Sequence, residues 1–207
     1  MRSGAVMTVV ALMLSGCSWS FWSAPTKRHR ALTNWGEDVK AEAEAQGLSY
    51  AYLMALIVLE CSGQRPCNKR KEPKRFENLR AVRDGQRARF ENIGTQDVHD
   101  ASDEALWNLA TSWGPFQIMG YKCIGLKVRV ADIRGEQGLH HGARWIREDY
   151  GHLLAKERYK DAFHWHNAGS TFPANGKSRT HDPDYVSNGL AHMAWFENNP
   201  PGGDSPD

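Results

Sequence analysis

The sequence has no marked excess of either charge: 26 Lys and Arg residues stand against 24 Asp and Glu residues, a formal net charge of +2. It also lacks a Lys/Arg-rich block with interleaved aromatic residues, so no nucleic-acid partner is expected. No repeat of solenoid period is present, which excludes repeat architectures. The apolar run Ala5 to Leu14 is too short to span a bilayer comfortably, which argues against a permanent transmembrane anchor.

Metal-binding motifs are also missing. The sequence has four cysteines but no Cys-x-x-Cys pair, and no His-Glu-x-x-His motif among its nine histidines. A metal-dependent amidase or peptidase stays open only through scattered histidines whose spacing fits no zinc family: His140, His141, His164, His166 and His181. No metal and no cofactor is therefore expected.

The N-terminus indicates export. Met1-Arg2 and the apolar run precede Leu14-Ser15-Gly16-Cys17, which resembles a bacterial lipobox. The alternative is an ordinary signal peptide that happens to carry a cysteine. The lipobox resemblance implies a signal peptide over residues 1–16, lipidation of Cys17 and a lipid-anchored tether over 17–30. Because Ser18 is not an aspartate, it also implies retention at the periplasmic face of the outer membrane.

The remaining sequence predicts one domain over residues 31–197 and a disordered tail over 198–207, rich in Pro, Gly and Asp. A helix from Ala31 to Gln46 should end at Gly47. Ser49 should cap a second, strongly apolar helix that delivers Glu60 and ends at Gly63.

Residues 64–98 predict a small β-hairpin around Asp84-Gly85, because Asp-Gly between alternating segments is a strong turn signal. Helices are predicted to resume after a cap at Asp100 or Ser102, and Pro183 suits the first turn of the last helix. The expected fold class is α+β, mostly α.

Three cysteines remain after lipidation of Cys17, and the periplasm permits disulfides. The closeness of Cys61 to Cys67 favours a bridge that fixes the turn after Glu60. Cys67–Cys123 is the competing pair.

Four motifs occur in order along the chain: Glu60-Cys61-Ser62, "SWGPFQIMG" (112–120), "HWHNAG" (164–169) and "DYVSNG" (184–189). This order resembles the lytic transglycosylases and goose-type lysozymes of the lysozyme-like superfamily, glycoside hydrolase family 23 in the broad sense. The phage and prophage muramidases and transglycosylases look most similar. The resemblance implies a lysozyme-like helical domain that acts on peptidoglycan glycan strands; it indicates no protein partner.

Residue by residue, the resemblance implies that Glu60 is the catalytic acid for the β-1,4 bond between N-acetylmuramic acid and N-acetylglucosamine. A carboxyl group at the end of an apolar helix suits this task, because burial favours the protonated form. The resemblance implies substrate binding by residues at the other motif positions, although ending a helix or packing in the core could explain Ser62 and Tyr185: Ser62, Gln117, His166, Asn167 and Tyr185. His166 stands where the family usually has tyrosine, which adds a titratable group and puts the pH optimum in doubt.

The reaction depends on whether a second carboxylate is available. A transglycosylase can use one acid and form 1,6-anhydro-muropeptides, whereas an inverting muramidase needs a second carboxylate to activate water. Glu77 is the preferred candidate over Asp84 and Glu91, although Arg75, on the same predicted strand face, could simply pair with it. The transglycosylase is favoured. The alternatives are a hydrolytic muramidase and a non-catalytic cell-wall-binding lipoprotein.

We expect the mature protein to begin at an acylated Cys17 and to fractionate with the outer membrane, since the tetrapeptide 14–17 follows a short apolar run. Cys17→Ser should abolish palmitate labelling and release the protein into the soluble periplasmic fraction. Unchanged labelling and fractionation of the variant would contradict the lipobox interpretation.

Overall fold

The computed structural model describes residues 24–202; the predicted signal peptide, Cys17 and residues 203–207 lie outside this range. The described chain is mostly helical, with a small antiparallel sheet, as expected for an α+β fold that is mostly α. Its helices are α1 Lys27–Gln46, α2 Tyr50–Cys61, α3 Pro73–Arg83, α4 Asp103–Leu109, α5 Lys122–Leu126, α6 Val130–Arg134, α7 Gly138–Leu154, α8 Tyr159–Ala168 and α9 Tyr185–Glu197. Its strands are β1 Arg70–Lys71, β2 Arg89–Phe90, β3 Ile93–Gly94, β4 Thr111–Trp113 and β5 Ile118–Met119.

Helix α2 forms the centre of the domain. The side chain of Ser49 accepts a hydrogen bond from the backbone N–H of Tyr52, which caps the helix as predicted. Every residue from Ala51 to Val58 is buried, so the helix has no solvent-facing stripe. Helices α1 and α9 pack along it. The central position follows from the apolar composition of the whole circumference.

Two helix starts differ from the sequence prediction. Helix α1 begins at Lys27 instead of Ala31, because the side chain of Thr26 caps it by accepting from the N–H of His29. Four residues assigned to the tether therefore belong to a helix of the domain. Helix α9 begins at Tyr185, so Pro183 lies in the preceding turn and not in the first helical turn.

The predicted hairpin around Asp84-Gly85 is wrong. Residues 73–83 form α3, which begins at Pro73. Asp84 caps its C-terminus, and Gly85 follows in the left-handed conformation. The buried residues of α3 recur at helical spacing and pack in a second hydrophobic cluster with β2 and β3: Phe76, Leu79 and Val82. A hairpin does follow, but it joins β2 to β3.

The second sheet has three strands in the order β1-β4-β5, all antiparallel. Ser112 lies opposite Arg70 on one side and Met119 on the other. The β4–β5 hairpin therefore contains the motif "SWGPFQIMG". Among residues 24–202, no helix has the length and apolar character needed to cross a membrane.

Gly63 lets α1 approach the end of α2 closely. Its φ of 71° is left-handed, and a Cβ there would lie 2.6 Å from the backbone nitrogen of Ala31 and 2.7 Å from the carbonyl oxygen of Lys27. Because both obstacles are backbone atoms, a larger residue would have to displace α1. Only glycine fits both the conformation and the space.

Gly63→Ala should therefore destabilise the fold more than a matched substitution at Gly47, which has a similar φ of 65° but open space around its Cβ position. We expect Gly47→Ala to lower the free energy of unfolding by about 1 kcal/mol. Gly63→Ala should lower it by about 1–3 kcal/mol more, because it adds overpacking. Urea unfolding of the two variants measures the difference, and equal losses would show that the contact with α1 is not tight.

Candidate active site

Glu60 lies in the last turn of α2, with its side chain 17% exposed. The helix ends through Ser62 and Gly63, both with positive φ. A disulfide joins Cys61 to Cys67, with their Cα atoms 5.4 Å apart, while Cys123 is buried as a free thiol. The turn that carries the carboxylate is therefore covalently closed.

Helix α1 also holds this turn. Three consecutive carbonyl groups after α2 accept hydrogen bonds from one face of α1, at distances of 2.9, 2.8 and 3.1 Å. The pairs are Arg30 Nε with Ser62, Asn34 Nδ2 with Gly63, and Trp35 Nε1 with Gln64. Carbonyl groups in a partly buried turn need such donors. The contacts that satisfy them also fix the position of Glu60 on the domain.

Tyr185, the first residue of α9, donates its hydroxyl proton to Oε1 of Glu60. Burial first, and then the neighbouring carboxylate, raise the pKa of Tyr185 well above its usual value. The hydroxyl therefore stays a donor at neutral pH. One helical turn later, a Cβ on Gly189 would lie 2.8 Å from the ring of Phe163, so glycine permits the close packing of α9 on α8.

His166, on α8, is the second polar neighbour of Glu60. Its side chain is 5% exposed, and its Nε2 lies 3.8 Å from Oε1 of Glu60 and 3.0 Å from the carbonyl oxygen of Phe116. Its Nδ1 lies 2.6 Å from the hydroxyl of Tyr150. Burial lowers the pKa of His166, and Glu60 opposes this effect. The histidine is therefore neutral at pH 7.

The amide group of Gln117 is largely used inside the protein. Nε2 donates to the carbonyl oxygens of Asn68, at 2.7 Å, and Gly114, at 3.0 Å. Oε1 accepts from the hydroxyl of Ser112 at 3.1 Å. These bonds join the loop after the disulfide to the β4–β5 hairpin, so Gln117 has a structural role beside the expected contact with substrate.

Asn167 and Ser62 also have internal contacts. Oδ1 of Asn167 accepts from the backbone N–H of His181 at 3.2 Å, which connects α8 to the segment before α9. Ser62 ends α2, and its carbonyl group is held by α1. Ser62 thus lies two residues after Glu60, and Asn167 lies next to His166. The internal contacts of these two residues do not by themselves indicate a ligand.

A cleft of about 210 Å³ contains three of the predicted site residues, Gln117, His166 and Asn167. Sequence reasoning missed several other lining residues, which include aromatic and charged side chains: Trp145, Trp165, Tyr121, Lys122 and Asp149. Four of these also line a neighbouring pocket of about 350 Å³, so the two pockets share part of their walls. Glu60 does not line the cleft itself; it lies 3.8 Å from His166, which does.

The structure separates the candidate second carboxylates. Glu77 is exposed on α3 and does not line the cleft, and the interpretation of Arg75 and Glu77 as one strand face is wrong because both are helical. Asp84 pairs with Arg83 at 2.8 Å. Glu91, in the turn between β2 and β3, does line the cleft.

Two cations hold Glu91 there. Its carboxylate oxygens lie 3.7 Å from Arg75 and 3.7 Å from Lys122. The side chain that sequence reasoning assigned to Glu77 as a partner, Arg75, therefore faces Glu91 instead. Both cations also line the cleft.

Within residues 24–202, no three His, Cys, Asp or Glu side chains come together as a metal-ligand group. His164 is buried and bonds the carbonyl oxygen of Ser170 and the N–H of Arg179 through its two ring nitrogens. This is a structural use of a histidine.

Comparison with known proteins adds no assignment. No protein-family model, no curated protein and no solved structure matches this chain. The geometry of the site and the motif resemblance are therefore the basis for proposing a function.

The free energy of unfolding should fall as the pH drops below about 6.5, the usual pKa of histidine in an unfolded chain. Below this pH His166 binds a proton in the unfolded chain but not in the folded protein, because the fold lowers its pKa. His192, whose pKa burial and then Arg28 and Lys27 lower to about 4, acts in the same direction. His166→Asn should reduce the loss between pH 7.5 and 5.5 in urea unfolding, whereas Asn at the exposed His99 should not. An unchanged pH dependence in His166→Asn would contradict the assignment.

Proposed function

We propose that this protein is a peptidoglycan lytic transglycosylase with a lysozyme-like domain, anchored through Cys17 at the periplasmic face of the outer membrane. The observation that carries the proposal is the pairing of Glu60 with Tyr185 beside His166. It joins three of the four motifs at one carboxylate, from positions far apart in the sequence. The lipid anchor depends only on the lipobox resemblance.

The geometry suits a general acid. Glu60 is mostly buried but retains a window to solvent, and the protein contacts that hold its turn keep it in one place. In the proposed reaction Glu60 donates its proton to the glycosidic oxygen that leaves N-acetylmuramic acid. The C6 hydroxyl of that muramic acid attacks C1, and its proton returns to the Glu60 carboxylate. No water is consumed, and the product is a 1,6-anhydro-muropeptide.

The cleft suits a sugar chain. Trp145 and Trp165 offer flat apolar faces, and the charged residues at its border offer hydrogen bonds to hydroxyl and acetamido groups. Gln117 and Asn167 lie in the same lining, where the resemblance places substrate contacts. The hydroxyl of Tyr185 continues to donate a hydrogen bond to Glu60 after the carboxyl group has transferred its proton to the substrate.

One observation favours a hydrolytic muramidase as the second candidate. Glu91 lines the cleft that also contains His166, and a carboxylate there can activate water. Against this role, Arg75 and Lys122 both approach Glu91 and occupy its carboxylate oxygens. We therefore retain the transglycosylase as the primary proposal.

Glu60→Gln should lower the rate of release of soluble fragments from purified sacculi by at least about a hundredfold, the usual scale for loss of a general acid. Glu77→Gln is the matched control, because that glutamate is exposed on α3 and should leave the rate unchanged. Mass spectrometry of the wild-type products should show 1,6-anhydro ends. Full activity of Glu60→Gln would exclude Glu60 as the acid of either glycosidic mechanism, whereas absence of activity in the wild type would indicate a non-catalytic wall-binding protein.

Glu91→Gln separates the two reactions. A transglycosylase should keep most of its rate in this variant, because the C6 hydroxyl replaces an activated water. Reducing N-acetylmuramic acid ends in the wild-type products, together with a loss in Glu91→Gln as severe as in Glu60→Gln, would identify the muramidase.

A further inference from the structure

We propose that Tyr150 is a positioning residue: its hydroxyl fixes His166 in the neutral form that carries the proton on Nε2, the ring nitrogen that lies 3.8 Å from Glu60. This inference rests on the proposed role of Glu60 as the catalytic acid. Nothing in the motif resemblance points to Tyr150, which lies outside all four motifs.

The hydrogen bonds determine where the proton of His166 lies. The carbonyl oxygen of Phe116 can only accept, so Nε2, 3.0 Å away, must carry a proton. In the neutral ring Nδ1 is then an acceptor, and the hydroxyl of Tyr150 at 2.6 Å donates to it. The hydroxyl of Tyr52, 3.3 Å from that of Tyr150, donates to Tyr150 in turn. The chain of donors runs in one direction and ends at His166.

The fold places Tyr150 for this contact. Within α7 its backbone leaves the helical conformation, with φ −140° and ψ 18°, and its side chain is completely buried. The ring lies edge-on to Trp145 and to His166, with centroids 5.7 and 6.0 Å away. The hydroxyl is thus enclosed by aromatic rings, with the two partners Tyr52 and His166 within reach.

The neutral state of His166 matters because of the charges around it. Glu60 faces it from α2, and Asp149 and Tyr150 face it from α7. Tyr52 contacts Tyr150, and Tyr185 contacts Glu60. The same cleft is also lined by three charged residues: Arg75, Glu91 and Lys122. An imidazolium 3.8 Å from Glu60 would form an ion pair with that side chain, and an ion-paired carboxylate cannot serve as the acid of the proposed reaction. A donor on Nδ1 stabilises the neutral ring against this change. Tyr150 therefore extends the acidic limit at which Glu60 can act.

The test combines a measurement on the unaltered protein with one variant. Long-range ¹H–¹⁵N NMR of the wild type at pH 7 should show an unprotonated Nδ1 in His166. A protonated Nδ1 would overturn the proposal, whether or not the protein cleaves peptidoglycan. The NMR measurement decides the proposal even if the variant fails to fold. It also distinguishes a wrong proton position on His166 from a wrong proposed function.

Tyr150→Phe removes only the hydroxyl. Relative to wild type, the ratio of sacculus cleavage at pH 5.5 to that at pH 7.5 should fall about tenfold, the scale of one lost hydrogen bond. Tyr159→Phe is the control: this tyrosine packs on Tyr52 with ring centroids 6.2 Å apart, and its hydroxyl has no protein partner within residues 24–202. Its pH profile should match the wild type. A uniform loss of activity in Tyr150→Phe, with an unchanged pH profile, would show a purely structural role and overturn the proposal.

Discussion

The site depends on the hydrogen bonds that side chains of α1 donate to the turn at the end of α2. The partly buried turn that follows α2 carries backbone carbonyl groups, and such groups destabilise a fold unless they find hydrogen-bond donors. Arg30, Asn34 and Trp35 supply the donors, and Gly63 lets the two helices come close enough. Because Glu60 belongs to the same turn, the contacts that stabilise the helix end also set the direction of the carboxylate.

Signals that act over a few residues were sufficient to predict α2. Ser49 and Gly63 bound the helix, and its apolar circumference predicts burial. The hairpin prediction failed because Asp-Gly serves both as a hairpin turn and as a helix end, and short apolar spacing did not decide between them. In the structure, the burial of Phe76 and Leu79 against a second cluster selects the helix. This is a tertiary effect that the local pattern does not contain.

The candidate site was predictable only in its motif residues. The motif resemblance assigned Glu60 and Tyr185 to one site, and the structure joins them by a hydrogen bond although they are separated by 125 positions. The preference for Glu77 as the candidate second carboxylate followed from the predicted hairpin. In the structure the hairpin joins β2 to β3, and Glu91, not Glu77, lines the cleft. Tyr150 was not identified because no sequence signal marks a helical tyrosine as the partner of a histidine on the next helix.

The polar network around Glu60 connects the site to the stability of the fold. Tyr52 on α2, Tyr150 on α7 and His166 on α8 form one chain of hydrogen bonds, and Phe116 ends it at the β4–β5 hairpin. A buried polar group is costly without partners, so each member requires the next. Three helices and a hairpin are therefore held in one arrangement by groups that also set the protonation of His166. A substitution that frees one of these groups should disturb packing and proton transfer together, which is why hydroxyl-only changes are needed to tell the two effects apart.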